Sequence, residues 1–216
     1  MVRWIIVLFL APAFLFGTAS SADKEEAKIP EGFKSLFNGT DLKGWKVYNG
    51  KQEVWGAADG AIYCEKGGGG WLMSEDEFGD FELMLEFKLS KAANSGVALR
   101  APLQGDPAYQ GMEIQLIDDE NWPGKLESWQ HTGSIYNVVP ASKQVNKPFG
   151  EWNKMKIVCK GPKVSIEVNG EKIVDANLDD HKEKSAKAHP GILREKGHVG
   201  FQSYNTRVEF KNVWVK

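Results

Sequence analysis

Cysteine and histidine are scarce in this chain, at two and four residues in 216. No two histidines stand four apart, and no Cys/His pair has zinc-motif spacing, so a zinc site of the common types is excluded. There is no Gly-x-Ser-x-Gly elbow, and Gly67 to Gly70 is followed by Trp71 rather than by Lys-Ser or Lys-Thr. Those absences remove the hydrolase elbow and the phosphate loop, and no nucleotide or organic cofactor is indicated. Charge of one sign is also missing. Twenty-seven basic and 29 acidic residues are interspersed to a net −2, which creates no field for steering toward nucleic acid or anionic lipid.

Only one long apolar run is present. Met1-Val2-Arg3 leads into an apolar stretch from Trp4 to Phe16, then small residues from Gly17 to Ala22 precede Asp23-Lys24-Glu25-Glu26. A positive start, an apolar core and a small-residue exit are the three parts of a secretory signal peptide. The stretch falls short of the roughly 20 residues that span a bilayer, so it reads as a cleaved leader over 1–22 rather than as a stable membrane anchor. Residues 23–32 then form a flexible lead and 33–216 a single domain, exported to the periplasm or the exterior. Cys64 and Cys159 would be free to pair there. Cys159 nonetheless occupies an apolar position of Met155-Lys156-Ile157-Val158-Cys159, and the reading adopted is a buried free thiol.

A sustained 3.6-residue repeat is absent as well. The nearest candidate, Asp179 to His189, has no apolar face and reads as a solvated loop or one helical turn. What is present is period two. Phe81, Leu83, Leu85, Phe87 and Leu89 alternate with polar or longer residues, and Val97 to Arg100 and Met112 to Asp118 follow as further strands. Val164, Ile166 and Val168 alternate up to Asn169-Gly170, which predicts a hairpin. Val208 and Phe210 share one parity and Val213 and Val215 the other, so a bulge is expected near Asn212. Ten or more short strands with turn residues between them predict an all-β fold of two packed antiparallel sheets.

Strand parity then selects candidate site residues. Glu113 and Gln115 project from the face opposite to Ile114 and Leu116. If Leu99 packs inward, simple alternation turns Arg100 outward beside Glu113. Tyr109, Trp122, Trp129, Tyr136 and Trp152 stand in polar surroundings, and eight tryptophans is a high count for this length. Flat rings beside planar polar groups suit a sugar, although aromatics equally build cores. His131 lies in the loop Glu127 to Gly133, a few residues past the Glu113 strand. Asp118, Asp119 and Glu120 could hold a hard cation or simply be solvated.

The ordered motifs resemble a known family. Phe33-Lys34-Ser35-Leu36-Phe37-Asn38-Gly39-Thr40-Asp41-Leu42-Lys43-Gly44-Trp45 looks like its opening signature. Phe78-Gly79-Asp80-Phe81, Asn94-Ser95-Gly96-Val97 with Arg100, Gly111-Met112-Glu113-Ile114-Gln115, Thr132-Gly133-Ser134-Ile135-Tyr136 and Gly200-Phe201-Gln202 follow in order. The chain from Phe33 onward is similar to the 3-keto-disaccharide hydrolases. The resemblance implies a concanavalin A-like two-sheet jelly roll whose concave face carries Arg100, Glu113, Gln115, His131, Tyr136 and Gln202, with Trp129 and Tyr204 as further aromatic contacts to substrate. One departure stands out. Many members continue after the last Gln with His-Gly, where this chain has Ser203-Tyr204-Asn205-Thr206.

The implied activity is cleavage of a glycosidic bond beside a 3-keto group, with a carbohydrate as ligand. Glu113 or His131 would serve as base, and Arg100, Gln115 or a divalent cation would stabilise the enolate oxygen. A non-catalytic carbohydrate-binding module is the competing expectation, and a protein-contact face a third. If the leader is read correctly, intact-mass measurement of the exported protein gives an N-terminus at Asp23. Retention of residues 1–22 would show instead that the apolar run is kept.

Overall fold

The computed structural model describes Met1, residues 27–185 and residues 187–216. The expected leader therefore lies outside the described residues, apart from Met1, as does the first part of the lead.

The strands run β1 (Lys34–Ser35), β2 (Trp45–Tyr48), β3 (Trp55–Ala58), β4 (Ala61–Cys64), β5 (Trp71–Phe78), β6 (Phe81–Leu89) and β7 (Asn94–Ala101). They continue as β8 (Met112–Ile117), β9 (Trp152–Lys160), β10 (Lys163–Val168), β11 (Glu171–Asn177), β12 (Gly197–Gln202) and β13 (Val208–Val215). One helical turn, α1 (Pro107–Gln110), precedes β8, and another, α2 (Lys182–Ser185), follows a 3-10 turn at Leu178–His181. The first sheet has the order β11-β10-β9-β6-β13-β4-β3, with β1 on the edge of β13; the second has the order β2-β5-β12-β7-β8. All pairings are antiparallel. This is the all-β two-sheet sandwich that the period-two runs predicted.

The apolar layer lies between the sheets. In β6 every odd residue from Phe81 to Leu89 is buried and every even one partly open. Phe201 of β12 stacks on Phe210 of β13 at 4.0 Å and 10°, joining the two sheets, and on Trp45 at 5.1 Å. All three are buried, and burial of aromatics this size dominates a sandwich core. Cys64 and Cys159 are buried free thiols in the first sheet, raised to about 11 and about 12 by desolvation. Asn169 and Gly170, both at positive φ, close the expected β10–β11 hairpin. The register of β13 against β6 shifts between Lys211 and Trp214, where Asn212 has φ 51°. That break lets β4 pair with the first half of β13 and β1 with its end.

Arg100 departs from the expectation. It has φ 49°, and β7 carries one residue more than β12 between the pairs Gly200↔Ala98 and His198↔Ala101. A left-handed residue in a bulge reverses strand parity. Ala98 and Ala101 consequently share the outer face, and Arg100 turns away from Glu113 to a site 2 % exposed. Its guanidinium donates to the carbonyls of Gly79 (2.9 Å), in the connection from β5 of the second sheet to β6 of the first, and Gly161 (2.8 Å), in the β9–β10 turn of the first sheet, to that of Arg194, and to Asp80. Arg100 is an inter-sheet strut. Replacing it by Met strands those carbonyls and is expected to cost about 3 kcal/mol in urea unfolding while sparing the concave face. An unchanged urea midpoint would contradict that role.

Candidate functional site

The outer face of the second sheet is nearly bare at its centre. Gly96 and Ala98 of β7 and Gly200 of β12 form the floor, with Val97, Leu99 and Phe201 pointing into the core between them. Gly96 pairs with Gln115 and Ala98 with Glu113 across β7 and β8. The long side chains of β8 can therefore lie down over β7. Glu113 does so closely enough that a Cβ on Gly96 would meet its Oε1 at 2.0 Å. A glycine is required by this close approach rather than by a turn.

α1 roofs the other half of the floor. Asp106 caps it, accepting from Ala108 N–H at 3.0 Å, and Pro107 opens it, a pairing of cap and proline suited to a helix start. Ala108 and Tyr109 cover Trp71, Met73, Ala98 and Ala101. The loop before the turn is pinned by Tyr48 and Asn49, both donating to Gly105 carbonyl oxygen. Gly191 N–H donates to Tyr109 carbonyl oxygen from the far side.

What remains open is a cleft of about 340 Å³ with Glu113, Gln115, Gln202 and Asn94 at its base. Asp106, Tyr109, Trp122, Gln130, Tyr136 and Tyr204 rise around it. Gln115 donates to Asn94 at 2.9 Å, fixing both carboxamides. Residues 132–136 run along the free edge of β8, exchanging backbone hydrogen bonds with Glu113 and Gln115, which brings Tyr136 beside Glu113. The stretch Ser203 to Thr206 is used structurally. Asn205 accepts from Asn94 N–H and donates to Ala92 carbonyl oxygen, holding exposed Tyr204 at the rim.

Glu113 is 4 % exposed, and among the described residues its carboxyl group takes no hydrogen bond. Desolvation, followed by the charge of Asp106, pushes it up to about 8. Tyr136 is pushed up to about 12, chiefly by burial, and Tyr109 is raised for the same reason, so both remain phenols at neutral pH. Tyr109 and Tyr136 meet edge to face with ring centroids 6.4 Å apart, and both line the cleft, so it has phenol hydroxyls able to donate.

The structure therefore gathers Glu113, Gln115, Tyr136, Gln202 and Tyr204 as expected. It does not gather the other three. His131 does not line the cleft; its Nδ1 lies 2.7 Å from Asp119 Oδ1, beyond the turn Ser128–Gln130 that carries Gln130 inward. A side chain one residue from a lining residue is directed elsewhere because that turn ends there. Trp129 sits behind Tyr136, edge-on at 4.9 Å. Arg100 braces the sheets, as described above. Trp152, one of the aromatics singled out, belongs to the first sheet, where Lys88 and Lys211 approach its ring. The acidic run is also committed elsewhere. Asp118 accepts from Ala92 N–H and Asn121, Asp119 pairs with His131, and among the described residues no three His, Cys, Asp or Glu side chains converge to hold a metal ion. Asp106 was overlooked, although Asp-Pro before a short polar-aromatic stretch is a legible helix-start signal.

Residues 32–216 match the sequence profile of the 3-keto-alpha-glucoside-1,2-lyase-like domain. The chain belongs to that family. It is 30 % identical over 241 aligned positions to a 3-keto-disaccharide hydrolase of Bacteroides thetaiotaomicron, covering 91 % of this chain and 83 % of the relative. A crystal structure from Parabacteroides distasonis, assigned as a glycosyl hydrolase, superposes with TM-score 0.77 at 31 % identity over 86 % of this chain and 94 % of that one. The carbohydrate-binding module CBM66 of Bacillus subtilis shares the fold alone, with TM-score 0.53 at 15 % identity over 82 % of this chain and 95 % of that one. Within the lyase-like family, the cleft on the bare sheet is this chain's candidate active site.

The raised Glu113 has a consequence for stability. Its folded value, about 8, exceeds the ordinary 4.5, so between these limits the folded state holds a proton that the unfolded chain has lost. Stability is expected to fall as pH rises from about 4.5 to about 8, approaching about 1.4 kcal/mol per unit from this group. Glu113→Gln should flatten that slope in melting curves taken across the range. An identical slope in both proteins would mean that Glu113 ionises freely.

Proposed function

We propose that this domain cleaves the glycosidic bond of 3-keto-glycosides by base-promoted elimination, with Glu113 as the base, and that it works after export. The observation that carries the reading is an unpartnered, desolvated carboxylate laid over Gly96 at the base of a cleft of carboxamides and aromatic rings. Leaving a buried carboxyl group without partners costs stability, and such a cost is typical of catalytic groups. A module that only binds has no use for it.

The chemistry needs one base and one hydrogen-bond donor. A ketone at C3 acidifies the C2 proton, which the Glu113 carboxylate removes, leaving the electron pair as an enolate on C2, C3 and the C3 oxygen. The enolate then re-forms the ketone and drives a C1=C2 double bond. The C1–O bond breaks, and its electron pair leaves with the aglycone oxygen, which takes a proton. Where water adds across C1=C2, the net result is hydrolysis. This route differs from ordinary glycoside hydrolysis, which depends on paired carboxylates around an oxocarbenium ion. Arg100 being remote, a phenol of the cleft, Tyr109 or Tyr136, takes over as donor to the enolate. Among the described residues no three His, Cys, Asp or Glu side chains converge to hold a divalent cation in the donor's place.

The test is incubation with a 3-keto-glucoside, following aglycone release and the near-ultraviolet band of the conjugated enone. Activity should rise with pH toward a plateau above about 8, because the base must be ionised. Glu113→Gln should lose about 10²- to 10⁴-fold in kcat. Gly96→Ala, which displaces Glu113 without removing it, should lose a smaller factor. No aglycone release at micromolar enzyme, or full activity in Glu113→Gln, would sink the reading.

A further inference from the structure

The cleft is unbalanced in charge. It holds two carboxylic groups, Glu113 at the base and Asp106 at the mouth, and no Lys, Arg or His stands among its lining residues. Its remaining polar side-chain groups are carboxamides, phenols and the indole N–H of Trp122, which match hydroxyls and ring oxygens and carry no charge to neutralise an acid. Asp106 cannot swing away from the opening, since it caps α1 through Ala108 N–H. Its charge is felt by both Glu113 and Tyr109, in each case raising the group. With Glu113 holding its proton at neutral pH, Asp106 supplies the fixed charge of the cleft.

We propose that Asp106 is a specificity-determining residue, making the cleft admit uncharged or amine-bearing sugars and turn away those with a carboxylate, sulfate or phosphate. The inference rests on the cleft being a sugar site and names which sugars enter it. An anionic ring would bring a negative charge beside Asp106 in a partly desolvated space with no cation to pair with, which is repulsion used to discriminate. An ammonium group would be attracted by the same charge. Asp106 is exposed, so both effects should be screened by salt.

Methyl glucoside, methyl glucuronide and methyl glucosaminide differ chiefly in charge, and their binding is read by calorimetry at neutral pH in low salt. The glucuronide is expected to bind about tenfold more weakly than the glucoside, and the glucosaminide at least as tightly. Asp106→Asn preserves the cap, because Asn caps a helix as well as Asp does. In that variant the glucuronide penalty should shrink toward onefold and glucosaminide binding should weaken, each taken as a ratio to the uncharged glucoside in the same protein. Raising salt to about 0.5 M should narrow the wild-type ratios in the same direction. Equal binding of glucuronide and glucoside by the wild type, or ratios unmoved by Asp106→Asn, would overturn the proposal. Binding of none of the three would remove it, and the sugar site falls as well if the 3-keto-glucoside also fails to bind. Charge selection without turnover of the 3-keto-glucoside would defeat the elimination chemistry and leave the role of Asp106 standing.

Discussion

A sheet can hold a carboxylate flat against its own surface only where a neighbouring strand has no side chain. Gly96 provides that gap beneath Glu113, and Ala98 and Gly200 extend it. The rest of the site depends on this bareness. The low floor leaves depth for a cleft and lets α1 settle over Trp71 and Met73. It also excludes water from the carboxyl group enough to raise it to about 8. The raised proton affinity of Glu113 is thus chiefly a consequence of two strands' composition, with the charge of Asp106 adding to it.

Backbone irregularities distribute the remaining roles. The left-handed residue at Arg100 removes a cation from the cleft face and commits it to the carbonyls of Gly79, in the link between the sheets, and Gly161, in a turn of the opposite sheet. That one dihedral both ties the sheets together and leaves the cleft acidic. The shift in β13 near Asn212 similarly frees an edge for β1, so the first residues of the domain close against the last. These bulges fix where parity changes and hence which side chains meet.

Much of the fold was legible because period two is a direct image of a half-buried strand. The alternation of β6, the Asn169-Gly170 hairpin and the slip near Asn212 all read correctly from residue types. Glu113 and Gln115 were legible for the same reason, as polar members of an alternating run. Arg100 was misread because alternation assumes an unbroken strand, and nothing in Val97-Ala98-Leu99-Arg100 marks a left-handed residue. His131 and Trp129 were misplaced because a loop has no period from which direction follows. Asp106 and Tyr109 stand far from Gly191 in sequence, and the turn that carries them is held by that distant backbone.

The sequence by itself determined the two-sheet architecture, the faces of the regular strands and the pairing of Glu113 with Gln115, because these follow from local alternation and turn chemistry. Only the tertiary structure decided which polar groups share the cleft, that tyrosines rather than an arginine line it, and that its charge is acidic. Those outcomes depend on bulges and on contacts between segments remote in the chain, whose geometry no local pattern encodes.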